Sequence, residues 1–302
     1  MKKSTRNFIN EAKNAKGYSI LDLIHGYLYM RWPYFYISMG KGDHPLAKKK
    51  KSLLGFKEAV MQNLFLSHGR QKRSSNFADG YHGKVIPIET ARQLVSINQE
   101  IRMENLEQVI PFEKARDIIL KNPDHIVVID CPCRKGMESP CLPMDVCLII
   151  GEPFASFVLD HNPQSSRLIS AEEARQILEA ESRRGHVAHA FFKDAVLNRF
   201  YAICNCCSCC CGAMKAHRNG TPMIISSGYI ANVDAQKCIS CGDCISVCQF
   251  QALTMSDSVV CDPNLCMGCG VCVRHCEQLA LSLVRDETKP APLLVNSLDF
   301  NE

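Results

Sequence analysis

Cysteine is the residue through which this 302-residue chain can do chemistry: there are 19 of them, and eight stand in two quartets of identical spacing. The first is Cys238-x2-Cys241-x2-Cys244-x3-Cys248 and the second Cys266-x2-Cys269-x2-Cys272-x3-Cys276. Every cysteine of the first recurs 28 residues later. So do Asp234 as Asp262, Gly242 as Gly270, Ala252 as Ala280 and Leu253 as Leu281. This is an internal duplication. Three thiolates at three-residue steps wrap one face of a cubane, each reaching a different iron, while the fourth points away toward a second cluster. Gly242 and Gly270 allow the positive φ and close backbone approach that such loops need. Structural zinc sites instead use CxxC pairs a dozen or more residues apart. Two [4Fe–4S] clusters are therefore expected, working by one-electron transfer.

Ten of the other eleven cysteines form two groups, Cys131-Pro-Cys133-Arg134 with Cys141 and Cys147, and Cys204-Asn-Cys206-Cys207-Ser-Cys209-Cys210-Cys211-Gly212. Six cysteines in eight residues exceed any packing need, and free thiols so close together would oxidise unless ligated or held reduced. A third iron–sulfur centre is expected, with candidate ligands Cys131, Cys133, Cys141, Cys147, Cys204, Cys206, Cys207 and Cys210. By spacing, Cys131, Cys133, Cys141 and Cys147 make the cleanest set. The Cys204 group could share that centre, hold another, or form a redox-active dithiol. Neighbouring side chains should diverge, so about three of that group at most, such as Cys204, Cys206 or Cys207, and Cys210, are expected on one centre. Cys261 stands alone and reads as a buried strand residue. Arg134 could hydrogen-bond a cluster sulfur or an anionic partner, or form a surface ion pair, and His161, His186 and His189 read as surface or hydrogen-bonded core histidines rather than ligands.

The elements that must position these thiols follow from periodicity and punctuation. Ile126-Val-Val-Ile129 is a buried-type strand running into Cys131. Ile88–Ile101 and Glu113–Leu120 have helical spacing, the second closed by Asn122-Pro-Asp124. Ser170-Ala-Glu-Glu173 opens a helix to about Arg183, Gly185 stops it, and Val187–Phe192 follows as a strand; a helix, stop and strand of this kind resembles part of a winged-helix unit. Leu253–Met255 and Val259-Val260 flank Ser256-Asp-Ser258 as a hairpin. The expected organisation is a basic, aromatic, helical region at 1–83, a cysteine-rich α/β domain at 84–228, a two-cluster domain at 229–285 and a tail at 286–302. The fold class is α+β, with the loops Gly40–Pro45 and Ser67–Gly83 near the start.

Over about 55 residues the quartets resemble the two-cluster bacterial ferredoxin family, whose fold is a pseudo-twofold βαβ repeat. The resemblance implies one cluster on Cys238, Cys241, Cys244 and Cys276 and another on Cys266, Cys269, Cys272 and Cys248. Gln249 and Glu277 replace the proline that usually follows each fourth cysteine. The CPCR and CNCCxCCC segments are similar to those of uncharacterised 4Fe–4S proteins of anaerobic bacteria, and Cys210-Cys211-Gly212 resembles a step of the heterodisulfide reductase CCG domain, without its long spacings.

Composition narrows the function further. Hydrophobic residues make up 46% and charged residues 22%, and the net charge is +4, giving no support for nucleic-acid binding. There is no GxGxxG or GxxxxGK[ST] for a nucleotide. The N-terminus has no apolar leader before its charges, which points to a reducing cytoplasm. Tyr18–Met39 is interrupted by Asp22, His25, Arg31 and Pro33 and cannot span a bilayer. Its aromatics, with Lys48–Lys51, form either a packed helix with a basic loop, the favoured reading, or a membrane-surface patch. The expected function is electron transfer with redox partner proteins. The alternatives are an oxidoreductase whose upstream cysteines are catalytic, and a cluster-dependent DNA-binding sensor, which the acidic helix after Ser170 disfavours.

Overall fold

The computed structural model describes residues 1–41, 80–111 and 117–295; Lys48–Lys51, and the loop stretches expected between residues 42 and 79, lie outside them. Three helices open the chain, α1 (Lys3–Asn14), α2 (Ile20–Arg31) and α3 (Pro33–Lys41). Ser19 and Asp22 form a capping box that starts α2. Tyr18 Oη donates to Ala195 O at 2.5 Å. Gly26 lies so close to that carbonyl that a Cβ would meet it at 1.8 Å. The aromatic segment is thus packed on the protein, although Trp32 and Phe35 stay half exposed. Among the described residues no helix is long and apolar enough to cross a membrane.

The middle of the chain runs β1 (Tyr81–Val85), α4 (Ile88–Leu94), β2 (Ile101–Met103), β3 (Ile118–Asp130), α5 (Pro132–Lys135), β4 (Asp145–Glu152), α6 (Phe154–His161), β5 (Ser166–Ile169), α7 (Ala171–Arg183), β6 (Val187–Lys193), β7 (Arg199–Cys206), α8 (Gly212–Arg218) and β8 (Ile224–Ile225). These eight strands form one sheet in the order β2-β3-β4-β7-β6-β1-β8, with β5 on β3. Strand alternation divides its two faces. Ile126 and Val128 pack with Ile88, Leu94, Ala174 and Leu178 of α4 and α7. Val127 and Ile129 pack on the other side with Phe8, Phe154, Phe157 and Met214 of α1, α6 and α8. The result is a sheet between two helical layers.

Several expectations fail here for identifiable reasons. The helix expected over Ile88–Ile101 stops at Leu94, and Ile101 already belongs to β2. Ile118–Leu120, expected as the end of a helix, opens β3 and pairs with Ile101–Met103; a short apolar run rich in isoleucine suits a strand equally well. Asn122-Pro-Asp124 does not end an element. It makes an irregularity inside β3, with Asn122 at φ +50° and a register shift between Lys121 and Ile126. Helix α7 is as expected, Ser170 Oγ accepting from Glu173 N at 3.1 Å, but β6 is an inner strand between β7 and β1 rather than a wing.

The C-terminal part contains β9 (Tyr229–Val233), α9 (Asp243–Ser246), β10 (Leu253–Met255), β11 (Val259–Cys261), α10 (Val271–Arg274) and β12 (Leu281–Arg285). Strand β9 pairs with β12, and β10 pairs with β11 as the expected hairpin. The described part of the expected tail is packed: Leu293 and Val295 are buried. Lys84 Nζ donates to Val109 O at 2.9 Å and to Ala291 O at 2.7 Å.

Candidate metal centres

The duplicated sequence folds into duplicated local geometry. Cys238 N donates to Asp234 O and Cys266 N to Asp262 O, each at 3.0 Å. Gly242 and Gly270 have φ of +85° and +77° and each opens a one-turn helix, α9 or α10. The amide of Ala252 points at Cys248 Sγ, and that of Ala280 at Cys276 Sγ, both at 3.3 Å. Ala231 N donates to Cys266 Sγ at 3.4 Å. Amides aimed at sulfur stabilise thiolate and cluster charge.

Two cavities of about 360 and 350 Å³ lie inside this part. Cys238, Cys241, Cys244 and Cys276 line the first, whereas Cys248, Cys266, Cys269 and Cys272 line the second. Each fourth cysteine has crossed to the other loop's cavity, so two sites of nearly equal size each have four thiols, a donor set fit for a cubane. Residues 237–283 match the 4Fe-4S dicluster domain family. The chain carries a ferredoxin-like iron–sulfur domain. No curated protein matches the chain. Around that domain helices and strands are mixed, as the α+β expectation requires. Cys261 ends β11 but is only half-buried, not buried as expected. It hydrogen-bonds Cys266, which holds the Cys266 thiol down at about 6.

Upstream, the sheet collects a second set of thiols. Cys147 on β4 sits opposite Cys204 on β7, and Ile129 sits opposite Cys147. The two-residue period then brings Cys131, Cys147, Cys204 and Cys206 to one face. Cys133 is the second residue of α5, and Cys211 caps α8, where Gly212 N donates to Cys133 Sγ at 3.5 Å. These six thiols line a cavity of about 790 Å³, together with Tyr29, Tyr81, Tyr201 and Phe191. A chain of hydrogen bonds links Cys204, Cys147, Cys131, Cys133, Cys211 and Cys206 in that order, with Cys147 donating to Cys204, Cys131 to Cys147 and Cys133, and Cys211 to Cys133 and Cys206. A hydrogen bond from Cys211, aided by His189, holds Cys206 down at about 6 against the effect of burial. Cys133 is held well below the usual thiol range by hydrogen bonding to Cys131. Cys131 and Cys211 are correspondingly raised by the protons they keep for Cys133. Six clustered thiols around one cavity are chemically fit for an iron–sulfur centre.

Arg134 is neither on the surface nor in a surface ion pair. It is fully buried, 2.5 Å from Glu181 Oε2, and donates to Asn205 O at 3.3 Å. It also donates to Pro143 O. These bonds anchor the turn carrying Cys131 and Cys133 to α7 and β7. Its Nε is buried without a partner among the described residues, while the side chain lines the thiol cavity, a place for an anionic group. The three histidines are hydrogen-bonded as expected: His161 to Thr5 Oγ1 at 2.7 Å, His186 to Glu181 Oε2 at 2.7 Å and His189 to Val187 O at 3.0 Å.

The structure redistributes the remaining candidates. Cys141 does not line the cavity of Cys131, Cys133 and Cys147; its sulfur stands with those of Cys207, Cys209 and Cys210, all within 4.8 Å of one another. Adjacent Cys209 and Cys210 converge, with sulfurs 3.6 Å apart, contrary to the expected divergence. Residues 208–210 form a turn, not a strand, so the alternation that separates neighbours does not apply. Cys209 and Cys211, absent from the expected ligands, could have been found from that turn and from Cys211 preceding Gly212 at a helix start.

The iron–sulfur domain packs directly on this region. Met267 and Val271 belong to the main core, with Val247, Phe250 and Cys269 against it. Gln249 Oε1 accepts from Ser208 N at 2.8 Å. One of the two polar residues found in place of the usual proline therefore ties the Cys248 loop to the middle of the Cys207–Cys210 turn.

Proposed function

We propose that the chain is an electron-transfer protein of a reducing, cytoplasmic compartment, with two [4Fe–4S] clusters in its C-terminal domain and a third iron–sulfur centre in the upstream cavity. The observation that carries this reading is the division of eight cysteines between two cavities of matching volume in the crossed pattern. One cluster would be held by Cys238, Cys241, Cys244 and Cys276, the other by Cys266, Cys269, Cys272 and Cys248, in the pseudo-twofold arrangement of ferredoxins. The third would draw on Cys131, Cys133, Cys147, Cys204, Cys206 and Cys211. When bound, such clusters take up and release one electron at a time. The protein's own groups set direction and access. Cys241 is exposed, so a redox partner protein would meet the first site. The second site leans on the main core through Met267 and Cys269, and Gln249 continues the line to the upstream thiols. The relay thus runs inward. The kinship with anaerobic bacterial 4Fe–4S proteins and the boundaries near residues 83, 228 and 285 are part of the same reading.

A second reading, an oxidoreductase whose upstream centre is catalytic, is favoured by a further cavity of about 1240 Å³. It shares Tyr29, Tyr81, Cys133 and Ala213 with the thiol cavity and is flanked by Lys41, Lys193 and Lys215. The test is anaerobic purification followed by iron and labile-sulfide counting and EPR of the reduced protein. About eight iron and eight sulfide are expected from the C-terminal domain, with further iron and sulfide, in equal amounts, that disappear together in Cys147→Ser. Absence of labile sulfide would overturn the reading; a count of eight would remove the third centre.

A further inference from the structure

Cys141, Cys207, Cys209 and Cys210 have a different geometry from all the other thiols. Cys209 Sγ lies 3.1 Å from Cys141 Sγ, 3.1 Å from Cys207 Sγ and 3.6 Å from Cys210 Sγ. Among the described residues this is the one group of metal-ligating side chains whose donor atoms are all within 4.8 Å. No three of the eight cysteines in the iron–sulfur domain come so close together. In a cubane each thiolate sits on a separate iron at a separate corner, which keeps the ligand sulfurs apart around the cube. Four thiolates that share one ion at about 2.3 Å in a tetrahedron are about 3.8 Å from one another. The observed separations are of the second kind.

We infer that Cys141, Cys207, Cys209 and Cys210 form a mononuclear tetrathiolate site for one zinc ion, separate from the iron–sulfur cavity beneath it. The four ligands leave no open position, which is the arrangement of a structural zinc site. Binding replaces the thiol protons by the metal: up to four protons leave, and a ZnS₄ unit of charge −2 remains. The surroundings suit that charge. The Cys210 amide hydrogen-bonds Cys207 Sγ and the Cys141 amide hydrogen-bonds Cys210 Sγ. Arg218 donates to the Ser208 carbonyl within the turn. The site has a structural task as well. Cys141 comes from the loop between α5 and β4 and the others from the turn after β7, while Cys207 and Cys210 also line the thiol cavity. One ion would therefore fasten a lid of two loops over that cavity, beside the Gln249 link.

The proposal does not depend on the third iron–sulfur centre, because the two are read from different quantities. A cluster adds iron and sulfide together, whereas this site adds metal without sulfide. In the anaerobically purified full chain, total metal should exceed labile sulfide by about one ion, and X-ray absorption at the zinc edge should show four sulfur neighbours at about 2.3 Å. Cys209 is exposed, so Cys209→Ser removes little packing; it should abolish the excess and leave iron and sulfide unchanged. Cobalt exchange into the wild-type chain gives an independent reading, a strong thiolate-to-cobalt absorption that Cys141→Ser weakens. An excess ion that proves to be iron keeps the four-thiolate site and overturns the choice of zinc. Metal equal to sulfide in the wild type, or joint loss of several iron and sulfide in Cys209→Ser, overturns the site itself.

Discussion

Glu181→Leu is the substitution that most directly tests how the upstream thiols are held in place. Arg134 and Glu181 are each 1% exposed and 2.5 Å apart, and Arg134 immediately follows Cys133. Removing the carboxylate leaves a buried guanidinium with only carbonyls and His186 around it. Breaking a buried pair from one side costs about 3–5 kcal/mol, or about 150- to 5,000-fold in the equilibrium for local opening. Hydrogen exchange read by mass spectrometry should therefore speed up by that order in α5 and α7, while β9–β12 keep their protection. The double variant Arg134→Met/Glu181→Leu removes both charges, and its exchange should return to within about tenfold of wild type, since apolar replacement of a whole pair is often neutral. The same pair fixes a pH dependence. Burial alone would raise the Glu181 pKa, but hydrogen bonds from His186 and Arg134 hold it below the ordinary value. Its stabilisation is then complete above the unfolded carboxylate range and is lost as pH falls through the lower folded value. Exchange in α5 and α7 that changes less than about fivefold in Glu181→Leu would refute the anchoring role assigned to the pair.

Other expectations follow from the same geometry. A Cβ at Gly268 would meet Tyr229 O at 2.2 Å and Ser227 Oγ at 2.3 Å, whereas at Gly242 it would meet only Met255 Cε at 3.9 Å. Gly268→Ala should therefore lose about four iron and four sulfide, and Gly242→Ala should keep them at a cost of about 1 kcal/mol, as iron counting and thermal unfolding would show. Gln249→Ala deprives Ser208 N of its acceptor, worth about 1 kcal/mol, so amides of the Cys207–Cys211 turn should exchange about fivefold faster. Burial holds Lys84 down at about 7; the folded state binds fewer protons than the unfolded between about 7 and 10.5, so stability rises with pH across that window by up to about 1.4 kcal/mol per unit. Denaturant titrations at several pH values should lose this slope in Lys84→Met.

The legible part of this molecule was the part in which ligand spacing and local backbone geometry are the same thing. A CxxCxxC loop closes on its own residues, so Cys238 to Cys244 and Cys266 to Cys272 declare their cavities within a few positions. Even the long-range step, Cys248 and Cys276 crossing over, follows from a duplicated unit. The upstream thiols obey a different rule. Cys131, Cys147, Cys204 and Cys206 meet because three strands, β3, β4 and β7, align in a sheet whose order is not written in any local pattern, and a one-residue change of register would turn a thiol to the opposite face. Spacing alone therefore grouped Cys141 with Cys147, six residues away, when β4 carries Cys147 into the sheet and leaves Cys141 on the loop outside. It also treated the Cys207–Cys210 run as a strand-like sequence of diverging side chains, where a turn makes them converge. The first error arises where the loop after α5 enters β4, the second between the end of β7 and the start of α8. There the chain changes from a period-two geometry that sorts cysteines between faces to a turn that gathers them. That change of backbone state sets the strand-borne thiols of the cavity apart from the knot of Cys141, Cys207, Cys209 and Cys210, of which Cys207 and Cys210 also face the cavity.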